Sequence, residues 1–390
     1  MITKKKRILY TVPNYPTGKH HGFIDEISEL QRLGYKVFIA PIWESSPENE
    51  VDSLKIDIIY DPNLSKYMRF FYCTVNFLKK PIQSIKFIWN AKNFIGYQES
   101  YLSLHLLNSI SSHKPDQIHS YFANNAALKV LLIAEHLNIQ FSCSGRGTDV
   151  LIKRIPEFLY LVNHSKPFFT LSKYNKSVIE KIPGVNIKNV KVIHHGIQIE
   201  NYPKRDWVNI HNDIPVILSV TWFRKVKGVE FLIEACNILK NKGIDFICEI
   251  IGDGYLRPKI EEMITHFNIG KYVHLSGRLE HRKVIDHLLK SDIFVLPSLS
   301  EGIAISAMEA MAVGLPVIVT EITGMNELID NNVTGLIVRP KNPVDLSNAI
   351  DKLLKDNNLC MKLGNSTRRK IKSDFNIRNN IQIILKFWGF

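Results

Sequence analysis

No stretch of the chain reaches the roughly 18 consecutive apolar residues needed to span a bilayer. The basic opening, residues 1–7, leads into an apolar run about one strand long, with no A-x-A cleavage pattern after it. A cytoplasmic protein is expected. Cysteine is scarce: Cys73, Cys143, Cys236, Cys248 and Cys360, none in a C-x-x-C pair. The odd count and the spacing argue against a disulfide framework, so each thiol is expected in a core or half-buried position. The first strand is followed by Pro13-Asn14-Tyr15-Pro16-Thr17-Gly18 rather than G-x-G-x-x-G. That argues against the nicotinamide-dinucleotide fingerprint. Acidic residues are missing altogether from Pro62 to Gln98, a stretch that carries Lys66, Arg69, Lys79, Lys80, Lys86 and Lys92.

That stretch is also rich in rings: Tyr67, Phe70, Phe71, Tyr72, Phe77, Phe87, Trp89, Phe94 and Tyr97. Cations beside large apolar rings fit an anionic bilayer surface. A helical hairpin whose rings fill core fits too, and stacked bases are a third possibility. No zinc-finger spacing or RNP pattern supports nucleic acid. The chain as a whole carries a formal charge of +13, with 45% hydrophobic and 22% charged residues, a composition normal for a globular enzyme.

At 390 residues the chain suits two domains. Short apolar runs alternate with longer periodic segments, which predicts βαβ units and parallel sheets. Residues 7–12 read as a strand. Phe23, Ile27, Leu30 and Leu33 follow at helical spacing, Gly34 stops that helix, and 35–40 is the next strand. Further strands are expected at 56–60, 117–122, 140–144, 167–171 and 191–194, with an oversized helical insertion at about 64–112. A second series reads 216–220, 246–251, 272–275, 293–296, 316–320 and 335–338. The boundary is placed in the polar stretch 202–215. The expected domains are 1–205 and 206–373, and a C-terminal helix, 374–390, is expected to pack back on the first.

The richest segment is Leu296–Val319, LPSLSEGIAISAMEAMAVGLPVIV. A strand ends at Leu296, and a helix is predicted from about Ile303 to Val313. A helix N-terminus then lies at the carboxyl edge of a parallel sheet, where such sheets bind ligands. Free N–H groups at Gly302, Ile303 and Ala304 suit a phosphate oxygen. The helix is apolar on nearly every face and therefore buried, yet it carries Glu309. A buried carboxylate needs partners, and vicinal ribose hydroxyls qualify. Glu301 sits at the positive end of the helix. The plainer alternative makes Glu301 a cap and gives Glu309 a backbone amide. Arg224, Lys225 and Lys227 cluster after another strand and suit a diphosphate. Gly252 and Gly254 permit a close ligand approach.

Pro297, Ser298, Glu301, Gly302, Glu309, Ala310, Ala312, Gly314, Pro316 and Val317 match P-S-x-x-E-G-…-E-A-x-A-x-G-x-P-V. With Lys227-Gly228, Gly252, Gly254, Gly277, Gly324, Glu327 and Thr334-Gly335, residues 216–340 resemble family 4 of the retaining glycosyltransferases (glycosyl transferases group 1). The first half resembles it more loosely, through its opening strand, Gly22, Gly34, Ser172 and Gly196. The resemblance implies an α/β GT-B fold, two Rossmann-like domains facing a cleft. It implies a UDP-sugar or GDP-sugar donor and no cofactor or metal, and the chain has no Asp-x-Asp motif. Glu301 is implied at the donor sugar hydroxyls, Glu309 at the ribose, Lys227 at the diphosphate, and Gly302 with the following amides in the donor site. The implied reaction is hexosyl transfer with retention to a glycan or lipid-linked acceptor, in building bacterial surface polysaccharides. The implied setting is the inner face of the membrane, approached through residues 62–98, with no nucleic acid involved.

The chain departs from the family at three places. Trp222 stands where the family has Arg, and Arg224 is the nearby substitute. Arg146, in the loop Gly145-Arg146-Gly147-Thr148-Asp149, stands where a His is common. Gln198 stands where an acid is common. Arg146 is a permanent cation that does not act as a base near neutral pH, but it suits a phosphate or a sugar oxygen. A sugar-nucleotide epimerase of the same architecture and a noncatalytic sugar-nucleotide-binding partner are rival readings, separated by product analysis.

Overall fold

The computed structural model describes residues 5–13, 21–42, 56–60, 63–146, 148–151, 155–208 and 213–390. Most of the loop expected between Pro13 and His21, Gly147 and Pro62 lie outside the described residues. The chain divides into two units, Met1–His195 with Asn380–Phe390, and Gly196–Asn379.

The first unit is built on seven parallel strands: β1 (Arg7–Val12), β2 (Lys36–Pro41), β3 (Asp57–Ile58), β4 (Gln117–Ser120), β5 (Gln140–Gly145), β6 (Phe168–Thr170) and β7 (Val190–Val192). Their spatial order is β3-β2-β1-β4-β5-β6-β7. β1 is buried after Arg7 and reads as a continuous apolar run, whereas β4 and β5 are buried but partly polar, Gln117 and His119 bonding Ser142 and His119 meeting Ser144. The helix α1 (His21–Arg32) follows β1. The insertion forms α2 (Lys66–Lys79), α3 (Pro81–Leu102, kinked at Gly96) and a third helix, Leu104–His113.

The second unit has six parallel strands: β8 (Val216–Val220), β9 (Ile247–Ile251), β10 (Val273–Gly277), β11 (Ile293–Leu296), β12 (Val317–Thr320) and β13 (Leu336–Val338). The order β10-β9-β8-β11-β12-β13 is the 3-2-1-4-5-6 arrangement of dinucleotide-binding sheets.

The chain changes unit between His195 and Gly196, upstream of the polar stretch 202–215. Part of that stretch is core. Tyr202 is buried, and the fully buried Arg205 pairs with Asp292 at 2.7 Å, donates to the Leu289 carbonyl at 2.6 Å and lies over Trp207. The C-terminal helix spans Ile377–Trp388 rather than 374–390, because Asp374 ends the preceding helix and Asn376 bridges to Ile197. From Asn380 onward it belongs to the first unit. Ile381, Ile384, Leu385 and Trp388 form its buried stripe, and Trp388 Nε1 donates to Ser142 Oγ at 2.9 Å.

Candidate active site

The strand order of the second sheet reverses between β8 and β11, and loops from both strands meet at their carboxyl ends. The helix after β11 runs Ile305–Val313, starting two residues later than its sequence predicts. Ala304 has extended backbone (φ −82°, ψ 115°) and is the N-cap. The unpaired amides are therefore those of Ala304, Ile305, Ser306 and Ala307, while Gly302 and Ile303 belong to the turn. No side chain caps this end and no acid lies in its first turn, so nothing in the helix itself offsets its positive pole. Glu301 is not a cap.

Glu301 instead meets Lys227. One carboxylate oxygen, Oε1, receives both the Lys227 ammonium and the Ser298 hydroxyl, the latter at 2.9 Å. Lys227 closes a short 3-10 turn, Lys225–Lys227. The Leu299 amide donates to the Val226 carbonyl at 2.7 Å, and a Cβ on Gly228 would lie 2.3 Å from the Pro297 oxygen. These contacts press the two loops together and bring a cation and a carboxylate 74 residues apart into one pair. Gly324 lies against the same turn, where a Cβ would come within 1.1 Å of the Gly302 carbonyl oxygen.

Glu309 is buried on its helix, at 6% exposure. Its Oε1 accepts from the Tyr202 hydroxyl at 3.0 Å and lies 2.8 Å from His281 Nε2. Its partners are thus side chains from two other segments, not a neighbouring backbone amide. Arg224 does not join the Lys227–Glu301 pair. Its guanidinium lies 5.5 Å from the Trp222 ring centroid, and Arg278, at the end of β10, lies 4.4 Å from the same ring. Gly252 and Gly254, both at positive φ, have a reason other than ligand approach. A Cβ at either would meet the Thr221 or Phe223 carbonyl oxygen, at 1.7 and 2.5 Å. Their lack of side chains lets the turn after β9 lie against the loop after β8.

Arg146 lies in the first unit, where it is nearly buried. Its guanidinium pairs with Glu26 of α1, lies 3.4 Å from the Tyr121 ring centroid and donates through Nε to the Tyr121 carbonyl at 3.1 Å. Burial works against its charge, but Glu26 and Tyr121 outweigh burial and hold its pKa above the usual arginine value. Burial, and then Arg146, push His195 down to about 3, so its ring is neutral near pH 7. His195 Nδ1 lies 3.4 Å from Arg146, and its Nε2 has no partner among the described residues. The imidazole rests on Gly22, where a Cβ would come within 1.7 Å of it.

Four residues of these sites escape sequence reasoning: Tyr202, His281, Arg278 and Glu26. Only Glu26 left a signal, as an acid on the same helical face as Phe23, Ile27 and Leu30. Among the described residues, no group of three or more His, Cys, Asp or Glu side chains is placed to hold a metal ion. All five cysteines are free and buried.

The insertion presents a ring-rich surface. Tyr67, Phe70, Phe71, Tyr72, Trp89, Phe94 and Tyr97 are exposed, Tyr67 to 88% and Trp89 to 64%. Only Phe87 is fully buried, and Phe77 packs partly against the core. Lys92 Nζ lies 3.1 Å from the Trp89 ring centroid and donates to the Tyr97 hydroxyl at 3.0 Å. Leu78, Ile82 and Ile85 extend the exposed surface along the α2–α3 hairpin.

The family described as glycosyl transferases group 1 matches residues 203–370. An uncharacterised glycosyltransferase of Methanocaldococcus jannaschii is 32% identical over 262 residues, covering 66% of this chain and 70% of that protein. The amylovoran biosynthesis glycosyltransferase AmsK of Erwinia amylovora is 33% identical over 199 residues, and the match spans about half of each chain, 50% and 49%. The crystal structure of a glycosyltransferase from Rickettsia africae shares the fold with a TM-score of 0.77 over 99% of this chain and 98% of that one, at 20% identity. With two 3-2-1-4-type parallel sheets and the glutamate motif on the second, this chain belongs to the glycosyl transferases group 1 family and is a glycosyltransferase of GT-B fold.

Proposed function

We propose that this enzyme moves a hexosyl group, with retention of anomeric configuration, from a UDP- or GDP-sugar to a glycan or lipid-linked acceptor in building a cell-surface polysaccharide. The observation that carries the reading is the Lys227–Glu301–Ser298 cluster beside an uncapped helix N-terminus, with Glu309 on the same helix. In this reading the donor diphosphate lies against Lys227 and the amides of Ala304–Ala307. It draws Lys227 away from Glu301, whose carboxylate then accepts hydrogen bonds from the sugar hydroxyls. As the bond from the anomeric carbon to the diphosphate oxygen lengthens, the growing negative charge is met by the ammonium and the helix pole. The departing diphosphate takes the proton of the acceptor hydroxyl, which attacks from the same face. Ribose hydroxyls bind Glu309. The surface-polysaccharide assignment draws support from the relative named for amylovoran biosynthesis.

The acceptor side of the proposal rests on the α2–α3 hairpin. Among the described residues no helix is long and apolar enough to cross a membrane. Residues 66–98 of the hairpin, with cations, seven exposed rings and no acid, fit anionic headgroups and the boundary just beneath them. We therefore place the enzyme peripherally on the cytoplasmic face of the membrane.

The test is a screen of UDP- and GDP-sugars, with and without a cell lipid extract, read as nucleoside diphosphate release and glycosylated product. Glu309→Ala is expected to lower nucleotide affinity about tenfold or more by calorimetry in a folded protein. An epimerised sugar without transfer, binding without turnover, or unchanged affinity in the variant would each sink the reading.

A further inference from the structure

We propose that Tyr202 and His281 are positioning residues of the donor site, holding one oxygen of the Glu309 carboxylate so that the other faces the ribose hydroxyls. The inference rests on the ribose role of Glu309 proposed above and adds the residues that make that role possible.

A lone carboxylate on an apolar helix has two soft torsions near its end, and its oxygens exchange by rotation. Here both protein donors converge on the same oxygen. The Tyr202 hydroxyl reaches Oε1 from the segment before β8, and His281 Nε2 reaches it from the first residue of the helix His281–Lys290. A carboxylate oxygen only accepts, so His281 Nε2 carries the proton of that contact. Two donors from different segments fix Oε1 in space and thereby fix the carboxylate plane. Oε2 takes no protein hydrogen bond among the described residues. An ionised carboxylate has about four acceptor sites, so capacity is left on Oε2 for two vicinal hydroxyls.

The composition of the pair supports a ligand role over simple charge burial. No Lys or Arg side chain bonds Glu309 among the described residues. A phenol hydroxyl orients the carboxylate without cancelling its charge, so the group keeps its strength as an acceptor. Tyr202 is 5% exposed, and its rigid ring sets the position of its hydroxyl through packing. The His281 side chain is 37% exposed, so the far edge of this assembly remains open to a ligand.

The test compares hydroxyl recognition rather than overall activity. Affinities for UDP and GDP are measured by calorimetry beside their 2′,3′-dideoxy forms, in the parent, Tyr202→Phe, His281→Leu, His281→Gln and Glu309→Gln. Tyr202→Phe and His281→Leu are expected to weaken the ribonucleotide about five- to tenfold and leave the dideoxynucleotide unchanged. His281→Gln, which keeps an N–H donor, is expected to stay within about twofold of the parent. Equal weakening of both nucleotides, or of neither, overturns the proposal. If Glu309→Gln leaves the ribo-to-dideoxy ratio intact, or if the parent binds neither nucleotide, the ribose reading itself falls, and this inference falls with it. If Glu309→Gln collapses the ratio while Tyr202→Phe and His281→Leu do not, only the positioning role falls.

Discussion

His195 shows how one buried side chain couples this enzyme to pH. Burial and the neighbouring Arg146 lower its pKa to about 3, against about 6.5 in an unfolded chain. Between those values the unfolded state binds a proton that the folded state refuses. Stability is therefore full above pH 6.5 and falls as the pH drops toward 3. His119, also buried and pushed well below its usual value, acts in the same direction. From pH 7 to pH 5 a group shifted this far removes about 2 kcal/mol of stability. His195→Asn is expected to remove that share of the loss, read from urea midpoints at the two pH values. An unchanged difference between pH 7 and pH 5 would mean that His195 already titrates normally in the folded protein.

Individual segments carry two further predictions. Gly324 lies where a Cβ would overlap the carbonyl of Gly302, next to Glu301. Its backbone sits in the ordinary helical region (φ −82°), so Ala is excluded by the neighbour and not by strain. Gly324→Ala is expected to cost about 1–3 kcal/mol of stability. Because the turn bearing Glu301 must shift, donor hydrolysis is also expected to fall about tenfold or more. A variant with parental melting temperature and hydrolysis would show that the turn yields freely. The α2–α3 hairpin makes the second prediction. Each Lys or Arg near an anionic surface contributes up to about 1 kcal/mol, which salt screens, while the exposed rings add binding that salt leaves in place. Replacing Lys79, Lys80 and Lys86 by Glu is expected to release the protein from anionic liposomes and to spare donor hydrolysis. Sedimentation equal to the parent at low salt would make the hairpin a packed structural element and no more.

For the molecule as a whole, the charge that meets the donor is expected to come from the chain itself. In the proposed reading, Lys227 and the helix pole of the second unit supply the positive charge that a bridging metal ion would otherwise provide. Transfer is therefore expected to continue in excess chelator. A loss of about tenfold or more that magnesium or manganese restores would contradict this.

Much of this was legible in the order of residues. Two series of buried apolar runs separated by helical periodicity predict two parallel sheets, because strands covered on both faces read as unbroken apolar segments. The pair Glu301 and Glu309, with seven residues between them at a buried helix, is likewise a local pattern, and its motif carries the family. Local patterns misplaced details set by geometry. The helix after β11 begins at Ile305, because Ala304 adopts extended backbone. Part of the supposed linker is core, because Arg205 finds Asp292 at a distance of 87 residues. What only the tertiary structure decided are the pairings between distant segments: Lys227 with Glu301, Arg146 with Glu26, and Tyr202 and His281 with Glu309. It also decided which rings of the insertion face outward, since a ring-rich helix reads the same whether it is packed or exposed. Periodicity records what a residue's near neighbours require. Which distant backbone passes beside it follows from the path of the folded chain, and that path brings Lys227 beside Glu301.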